Sequence, residues 1–347
     1  MPDLSMPDLA LAAADLRRAL GDFLERDRQD GVFHVQVGGP GSVPALADLD
    51  VPELHLDLMP EAPTDAQRAA LDGLGYVLES AQTWRHPAGH RLVVCDHSTG
   101  WRGAQAALRR LLDDPRAAPE YRRAYGRDGR TAADDALLPA ALEHHARTVA
   151  FSPLQFAAHS LAGLDAPWTV AGGYALDLHA GHVTRAHDDI DIEIPREAQG
   201  QLPDVLRGWR LDASIEGRYQ LFRPPLEPTS HQIHARHPDL PAVLMADLML
   251  TDLSGGLWHY RRDPAITRPL AEARRVGPHG LPYLAPEIVL LFKAGSVGRE
   301  PRGKDRADFQ RVLPTLDTAA RSWLRGALER TRPGHGWVGE LGGSDKG

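Results

Sequence analysis

The chain has 347 residues, 42% hydrophobic and 25% charged, which suits two globular domains that each bury a core. With 39 Lys and Arg against 47 Asp and Glu its formal charge is −8, so a broad electrostatic grip on nucleic acid is not expected, although a local basic patch stays open. A single cysteine, Cys95, excludes an intrachain disulfide framework and a multi-cysteine metal site.

The acidic start "MPDLSMPDLALAAADL" has neither the basic opening nor the apolar core of a signal peptide. No apolar run approaches the ~20 residues of a membrane-spanning helix, and a cytoplasmic protein is expected. Leu9, Leu16, Leu20, Phe23 and Leu24 form an apolar stripe that predicts a helix over residues 8–27. "VFHVQV" and "ELHLDLM" alternate as strands do, on either side of the turn "GGPGSVP". A helix over about Asp65–Leu74, strands at "GYVLES" and "HRLVVCD", and helices at "AQAALRRLLDD" and "PEYRRAY" follow. "TAADDALLPAALEHHARTVAF" then reads as one long helix that ends at a domain boundary near Val149.

The second half repeats this order. "SPLQFAAHSLAGL" predicts a helix with Ser152 as its cap and Pro153 in its first turn. "WTVAGG" is a strand ending in glycines, "YALDLHAG" a helix stopped by Gly181, and "DIDIEI" an alternating strand. A helix around "PREAQGQLPDVLRG" precedes the strands "YQLFR" and "HQIHARH". "AVLMADLMLTD" and "LWHYRRD" suggest an antiparallel pair around "LSGG", and the remainder is helical. Both halves run strand, glycine turn, strand, helix, strand, strand. The expectation is an α+β (mixed α/β) protein made of two tandem copies of one fold, each a small mixed sheet flanked by helices. The copies would span 1–148 and 149–335, leaving 336–347 as a flexible tail.

Alternation in "DDIDIEI" puts Asp189, Asp191 and Glu193 on one face of the strand and three isoleucines on the other. Two carboxylates about 4 Å apart repel by roughly 4 kcal/mol at an effective dielectric near 20. Magnesium offsets such repulsion, since it favours one or two carboxylates together with phosphate oxygens. Gly172 and Gly173, at a strand-to-helix junction, would let backbone N–H groups approach a phosphate. Neither feature is specific alone; their order within one strand–helix–strand unit is.

That unit, "WTVAGGYALDLHAGHVTRAHDDIDIEI", resembles the signature of the nucleotidyltransferase superfamily, the fold shared with DNA polymerase beta. It is similar in particular to the aminoglycoside 2''-adenylyltransferase and lincosamide nucleotidyltransferase branch, over roughly residues 150–335. The resemblance implies Gly172 and Gly173 as phosphate-binding glycines and Asp189 and Asp191 as metal ligands. It also implies a third carboxylate on a neighbouring strand, for which Asp247 and Asp252 are the candidates. Asp247 is preferred as third ligand and possible general base, because a charge inside an apolar strand is costly unless paired or metal-bound; an aspartate at a turn is ordinary. The bland reading of Asp247 is a buried, hydrogen-bonded side chain.

The chain contains only three lysines: Lys293, Lys304 and Lys346. Lys293 and Lys304 are candidates to reach triphosphate oxygens, with Arg299, Arg302 and Arg306 close to Lys304; a solvated helix start is the alternative. Arg185 stays open between contacting phosphate and bracing its loop, while His187 is expected to brace the loop through Asp188 or Asp189. Arg261 and Arg262 stay open too. Glu287 is read as a first-turn residue complementing a helix dipole, and Trp168 and Trp258 as core.

In the first half, "VGGPGSVPALADLDVPELHLDLMP" and "LRRLLDDPRAAPEYRRAYG" resemble the GrpB-like family, another group with the nucleotidyltransferase fold, over about residues 15–130. In that comparison His55 falls where the first aspartate of a pair would stand, and Asp57 remains. One carboxylate and a histidine make a poor magnesium site, so this half is expected to be a noncatalytic copy.

Together these resemblances imply an enzyme: a nucleotidyltransferase using two Mg2+ ions. It would transfer a nucleoside monophosphate, AMP from ATP or from another NTP its counterpart, to a hydroxyl of a small-molecule acceptor such as an aminoglycoside. A noncatalytic nucleotide-binding or regulatory module and a toxin-type transferase acting on RNA or protein are the alternatives. Acceptor identity and oligomeric state are not written in the sequence.

Overall fold

The computed structural model describes residues 8–22, 31–59, 63–95, 101–216, 218–295 and 300–342. Phe23, Leu24, Arg299 and Lys346 therefore lie outside the described residues. The protein is a mixture of helix and sheet, and it divides into two compact units with the main division between Thr148 and Val149. No helix among the described residues is long and apolar enough to cross a membrane.

The first unit contains α1 (Leu9–Leu20), β1 (Gly31–Gly38), β2 (Glu53–Met59), α2 (Asp65–Gly73), β3 (Val77–Ser80), β4 (Thr83–His86), β5 (His90–Cys95), α3 (Trp101–Leu112) and α4 (Ala118–Thr148). β4 had no clear alternation in the sequence, because its four residues alternate in neither charge nor size. The helices predicted at "PEYRRAY" and "TAADDALL" join into α4, which Gly129 interrupts with φ +81 and ψ −179. The sheet order is β1-β2-β5-β4-β3, with β2 and β5 parallel and every other pair antiparallel.

β2 is buried on both faces. Leu54, Leu56 and Leu58 join the core formed with Leu16 and Leu20 of α1 and Leu71 of α2. The opposite face carries Glu53, His55 and Asp57, all buried and all paired. Arg102 of α3 meets Asp57 at 2.9 Å, Arg130 of α4 grips both Glu53 oxygens, and His55 Nε2 lies 3.0 Å from Glu53 Oε2.

The second unit contains α5 (Ser152–Ser160), β6 (Thr169–Val170), α6 (Gly172–Ala180), β7 (Asp189–Pro195), β8 (Arg210–Ile215), β9 (Gln232–Arg236), β10 (Met245–Thr251), β11 (Arg274–Val276), β12 (Pro282–Leu284), α7 (Pro286–Lys293), α8 (Gly303–Val312), α9 (Thr318–Thr331) and α10 (Gly336–Leu341). Its sheet includes the run β11-β12-β6-β7-β10-β9-β8. Here β7 and β10 are parallel, flanked by antiparallel pairs β6–β7, β10–β9 and β9–β8. This is the arrangement of the first sheet, strand for strand.

Several expectations change. "LWHYRRD" does not pair with "AVLMADLMLTD": Leu257–His259 belongs to a separate small sheet with Leu253–Ser254 and Thr267–Pro269, while β10 is central in the main sheet. Its near-continuous apolar run suits burial on both faces, which an exposed hairpin does not supply. Ser152 is inside α5 and Phe151 caps it, without a side-chain bond. The stretch expected to be a flexible tail from residue 336 begins with α10, whose buried Trp337 stacks on Phe309 at 4.1 Å and 6°. One indole suffices to dock a short terminal helix.

Candidate active site

β7 places Ile190, Ile192 and Ile194 in the core and turns Asp189, Asp191 and Glu193 to the other face. β6 ends at Val170, the Ala171 N–H donates to the Asp191 carbonyl at 2.8 Å, and the chain turns into α6 at Gly172. Gly172 holds φ +58, and a Cβ placed there would stand 1.7 Å from Asp191 Oδ2. The glycine therefore serves close approach to the aspartate as well as backbone freedom. α6 starts at the glycines themselves, and its cap Ala171 brings no side-chain acceptor to the first-turn N–H groups. Gly173 is buried just inside that turn.

On the other side of β7, the parallel ladder sets Asp247 directly beside Asp191, with Met245 beside Asp189. Burial, then Asp191, then Asp189, raise the Asp247 pKa well above the usual carboxylate range. Gln232 of β9 donates to Asp247 Oδ2 at 2.7 Å, while Asp247 Oδ1 is buried with no hydrogen-bond partner among the described residues. Asp252, the other candidate, is exposed and pairs with Arg196 at 2.8 Å. Glu193 is fully buried; burial pushes its pKa up to about 7 against the Trp258 indole N–H, which donates at 2.9 Å, and the charge of Arg261.

A cavity of about 200 Å³ opens beside Gly172, Asp191 and Glu193. Arg261, Arg262 and Arg302 line it as well. Arg261 lies 5.2 Å from the centre of the Phe292 ring and Arg262 donates to the Gly295 carbonyl at 2.8 Å. Burial lowers the Arg261 pKa, opposed by Glu193, Asp247 and Asp191. For Arg302 burial is outweighed by its Asp305 hydrogen bonds and by Asp189 and Asp191, and its pKa rises. A cavity lined by both carboxylates and guanidiniums suits a ligand that carries both metal and phosphate.

Lys293 lines this cavity, but its ammonium sits between Asp305 (3.0 Å) and Asp308 (2.8 Å). The same chain of charges continues through Arg311 to Asp177, and Asp177 Oδ2 lies 2.6 Å from His187 Nε2. His187 thus braces its loop through Asp177 and by stacking on Tyr174 at 4.0 Å. Asp177 is wholly buried, where a carboxylate must be paired. Lys304 stands in the first turn of α8, half-buried and not among the residues that line the cavity; Arg302 lines it instead. Arg185 likewise does not line it and donates to the neighbouring Ala186 carbonyl at 3.1 Å. Glu287 is buried against Arg268 at 2.9 Å, and Trp168 is only half-buried. Sequence reasoning missed Gln232 and Asp177, whose roles follow from β-register and from a partner more than a hundred residues away.

Among the described residues no three His, Cys, Asp or Glu side chains stand at metal-gripping spacing. Asp191 turns to Gly172 and Asp247 to Gln232, as repulsion between like charges favours. The donor set nevertheless fits a hard divalent cation. It is all carboxylate oxygen, and it holds one buried oxygen that accepts no hydrogen bond among the described residues and a raised pKa that a cation would relieve.

Residues 154–312, from α5 to the end of α8, match the family model of aminoglycoside-2''-adenylyltransferases. A 2''-aminoglycoside nucleotidyltransferase of Escherichia coli is 45% identical over 40 residues, 12% of this chain and 23% of that protein. One of Klebsiella pneumoniae is 50% identical over 36 residues, 10% and 20% of the two chains. The chain thus spans less than a quarter of these curated relatives. Among solved structures, ANT(2")-Ia with adenylyl-2"-tobramycin is 16% identical, covers 52% of this chain and 94% of its own, and has a TM-score of 0.37. The lincosamide adenylyltransferase LnuA with lincomycin bound is 15% identical, covers 46% and 94%, and has a TM-score of 0.33. Those two structural likenesses are too slight to carry an argument. The family match makes the second half similar to nucleotidyltransferases; it starts after the first unit's last helix.

Proposed function

We propose that the protein is a magnesium-dependent nucleotidyltransferase that moves AMP from ATP to a hydroxyl of a small, aminoglycoside-like acceptor. The observation that carries this is Gly172 pressed against Asp191 with Asp247 in register beside it, at the edge of an arginine-walled cavity. The first turn of α6 and Arg261, Arg262 and Arg302 would receive the triphosphate, whose charge they complement. Asp189, Asp191 and Asp247 would hold two magnesium ions, whose charge lowers the pKa of the acceptor hydroxyl and neutralises the leaving pyrophosphate. Asp247, ionised once a cation offsets the neighbouring Asp191 and Asp189 charges, would take the hydroxyl proton. A bond forms between the acceptor oxygen and the α-phosphorus, and the bond from that phosphorus to the pyrophosphate oxygen breaks.

Lys293 acts from behind, through the carboxylate chain that also holds Arg302. The spread of the three carboxylates favours a second reading, a nucleotide-binding module without turnover. Pyrophosphate release from ATP and Mg2+ over a panel of hydroxyl acceptors separates the two. Acceptor-dependent release that Asp191→Asn abolishes supports the transferase; ATP binding with no release from any acceptor supports the module.

A further inference from the structure

The matching strand orders give each residue of the second-unit site a counterpart in the first. Gly39 holds φ +72 against Glu53, as Gly172 holds φ +58 against Asp191. Glu53 is therefore the counterpart of Asp191, four residues before the Asp57 expected from sequence, and Val51 that of Asp189. Arg91, which pairs with Glu53 across the parallel ladder, is the counterpart of Asp247. Val93 beside His55 answers to Met249 beside Glu193, and each lines a cavity in its own unit. The first-unit cavity holds about 560 Å³. It is thus the same cleft of the fold, enlarged.

The metal-binding pattern is absent from it. Where Asp247 stands in the second unit there is a guanidinium, and Glu53 is held by Arg130 on both oxygens. Burial works against the Glu53 charge, but the bonds from His55 and Arg130 bring its pKa down to about 2. Arg91 is likewise occupied, by Asp50 at 2.7 Å and Glu79 at 2.9 Å. Both arginines of the cavity are thereby neutralised, whereas its wall carries four carboxylates in all. Asp134 accepts from Tyr121 at 2.7 Å and from Gln105 at 3.2 Å and lies 3.7 Å from Arg130, so the excess of carboxylates over guanidiniums in the lining is most open to a ligand at the exposed Asp135. The half-buried Trp101 ring adds a π-face, and Thr83 and Thr131 add hydroxyls.

We propose that the first-unit cleft is a noncatalytic binding site for an organic polycation, a small hydroxylated molecule with several protonated amines. Its volume lies within the range of ligand sites for drug-sized molecules. Acidic walls select for amines, and Trp101 offers them cation–π contact. Transfer in the second unit is not required for this.

Calorimetric titration of the full chain at low salt, without nucleotide, tests it with tobramycin and spermine as probes. At least one probe binds; Asp135→Lys and Trp101→Ala each weaken that binding roughly tenfold. Asp135 is exposed, so its variant keeps the fold even where Trp101→Ala loses it, and a thermal melt verifies this. No binding of either probe overturns the proposal, as does binding that Asp135→Lys leaves unchanged. Loss of binding in Asp191→Asn but not in Asp135→Lys would assign the ligand to the second unit and overturn it too.

Discussion

Replacing Gly172 by alanine perturbs the site at its tightest point. The added Cβ would stand 1.7 Å from Asp191 Oδ2 and 2.5 Å from Asp191 Cγ, on a backbone at φ +58. A left-handed conformation costs a non-glycine residue about 1–2 kcal/mol, and overpacking a tight contact costs about 1–3 kcal/mol more. Gly172→Ala should therefore destabilise the protein by roughly 2–5 kcal/mol and displace the Asp191 carboxylate from its place against residue 172. Gly181 provides the control: it has φ +82, and a Cβ there meets nothing within 4 Å. Gly181→Ala should cost only the backbone part, about 1–2 kcal/mol. Urea unfolding measures both, with pyrophosphate release from ATP as the activity readout. Adding Asp191→Ala to Gly172→Ala should restore the contact part, about 1–3 kcal/mol. Equal losses for the two glycines, or wild-type turnover in Gly172→Ala, would refute the packing of Gly172 on Asp191 as the basis of the site.

Asp247→Asn should act oppositely on activity and stability. A carboxyl whose folded pKa lies above its ordinary value of 3.8 destabilises once ionised, so wild type loses stability as pH rises from about 4 through the raised pKa. In metal-free buffer the variant should match wild type near pH 4 and exceed it at pH 8, while turnover falls about 10²–10⁴-fold. Arg130→Ala leaves Glu53, 1% exposed, without its main partner and should cost about 3–5 kcal/mol in chemical denaturation at pH 7. The Glu53 contribution is present above about pH 4.5 and lost as pH falls toward 2, so the variant should be less acid-sensitive than wild type over that range. Trp337→Ala should cost about 3–5 kcal/mol, read as a fall in melting temperature; no change would return residues 336–341 to the status of a tail.

Much of the architecture was legible in local pattern. The stripe of α1, the alternation of β2 and β7, and the repeated strand–glycine–strand order pointed to two units with the same order of strands. The order of Gly172, α6, Asp189 and Asp191 marked a candidate site, because those residues lie within one short unit whose geometry is local. Asp247 was found by its cost: an acid inside an apolar strand needs a reason. The "LWHYRRD" strand was misplaced because alternation says which face a strand buries and not which strand it joins.

What the sequence determined by itself was therefore periodic and short-range: the elements, their repeated order, and the glycine–aspartate constellation. Tertiary structure alone decided which charges are available. Lys293 reads as a phosphate ligand until α8 brings Asp305 and Asp308 to it, and Arg261, Arg262 and Arg302 gain a shared wall only through folding. It also set Glu53, rather than His55 or Asp57, against the positive-φ Gly39, since a two-residue period cannot reveal a shift by a whole number of repeats. Pairing across strands and helices is a property of distance in space, and charges far apart in the chain meet there under the rule that a buried charge must find its partner.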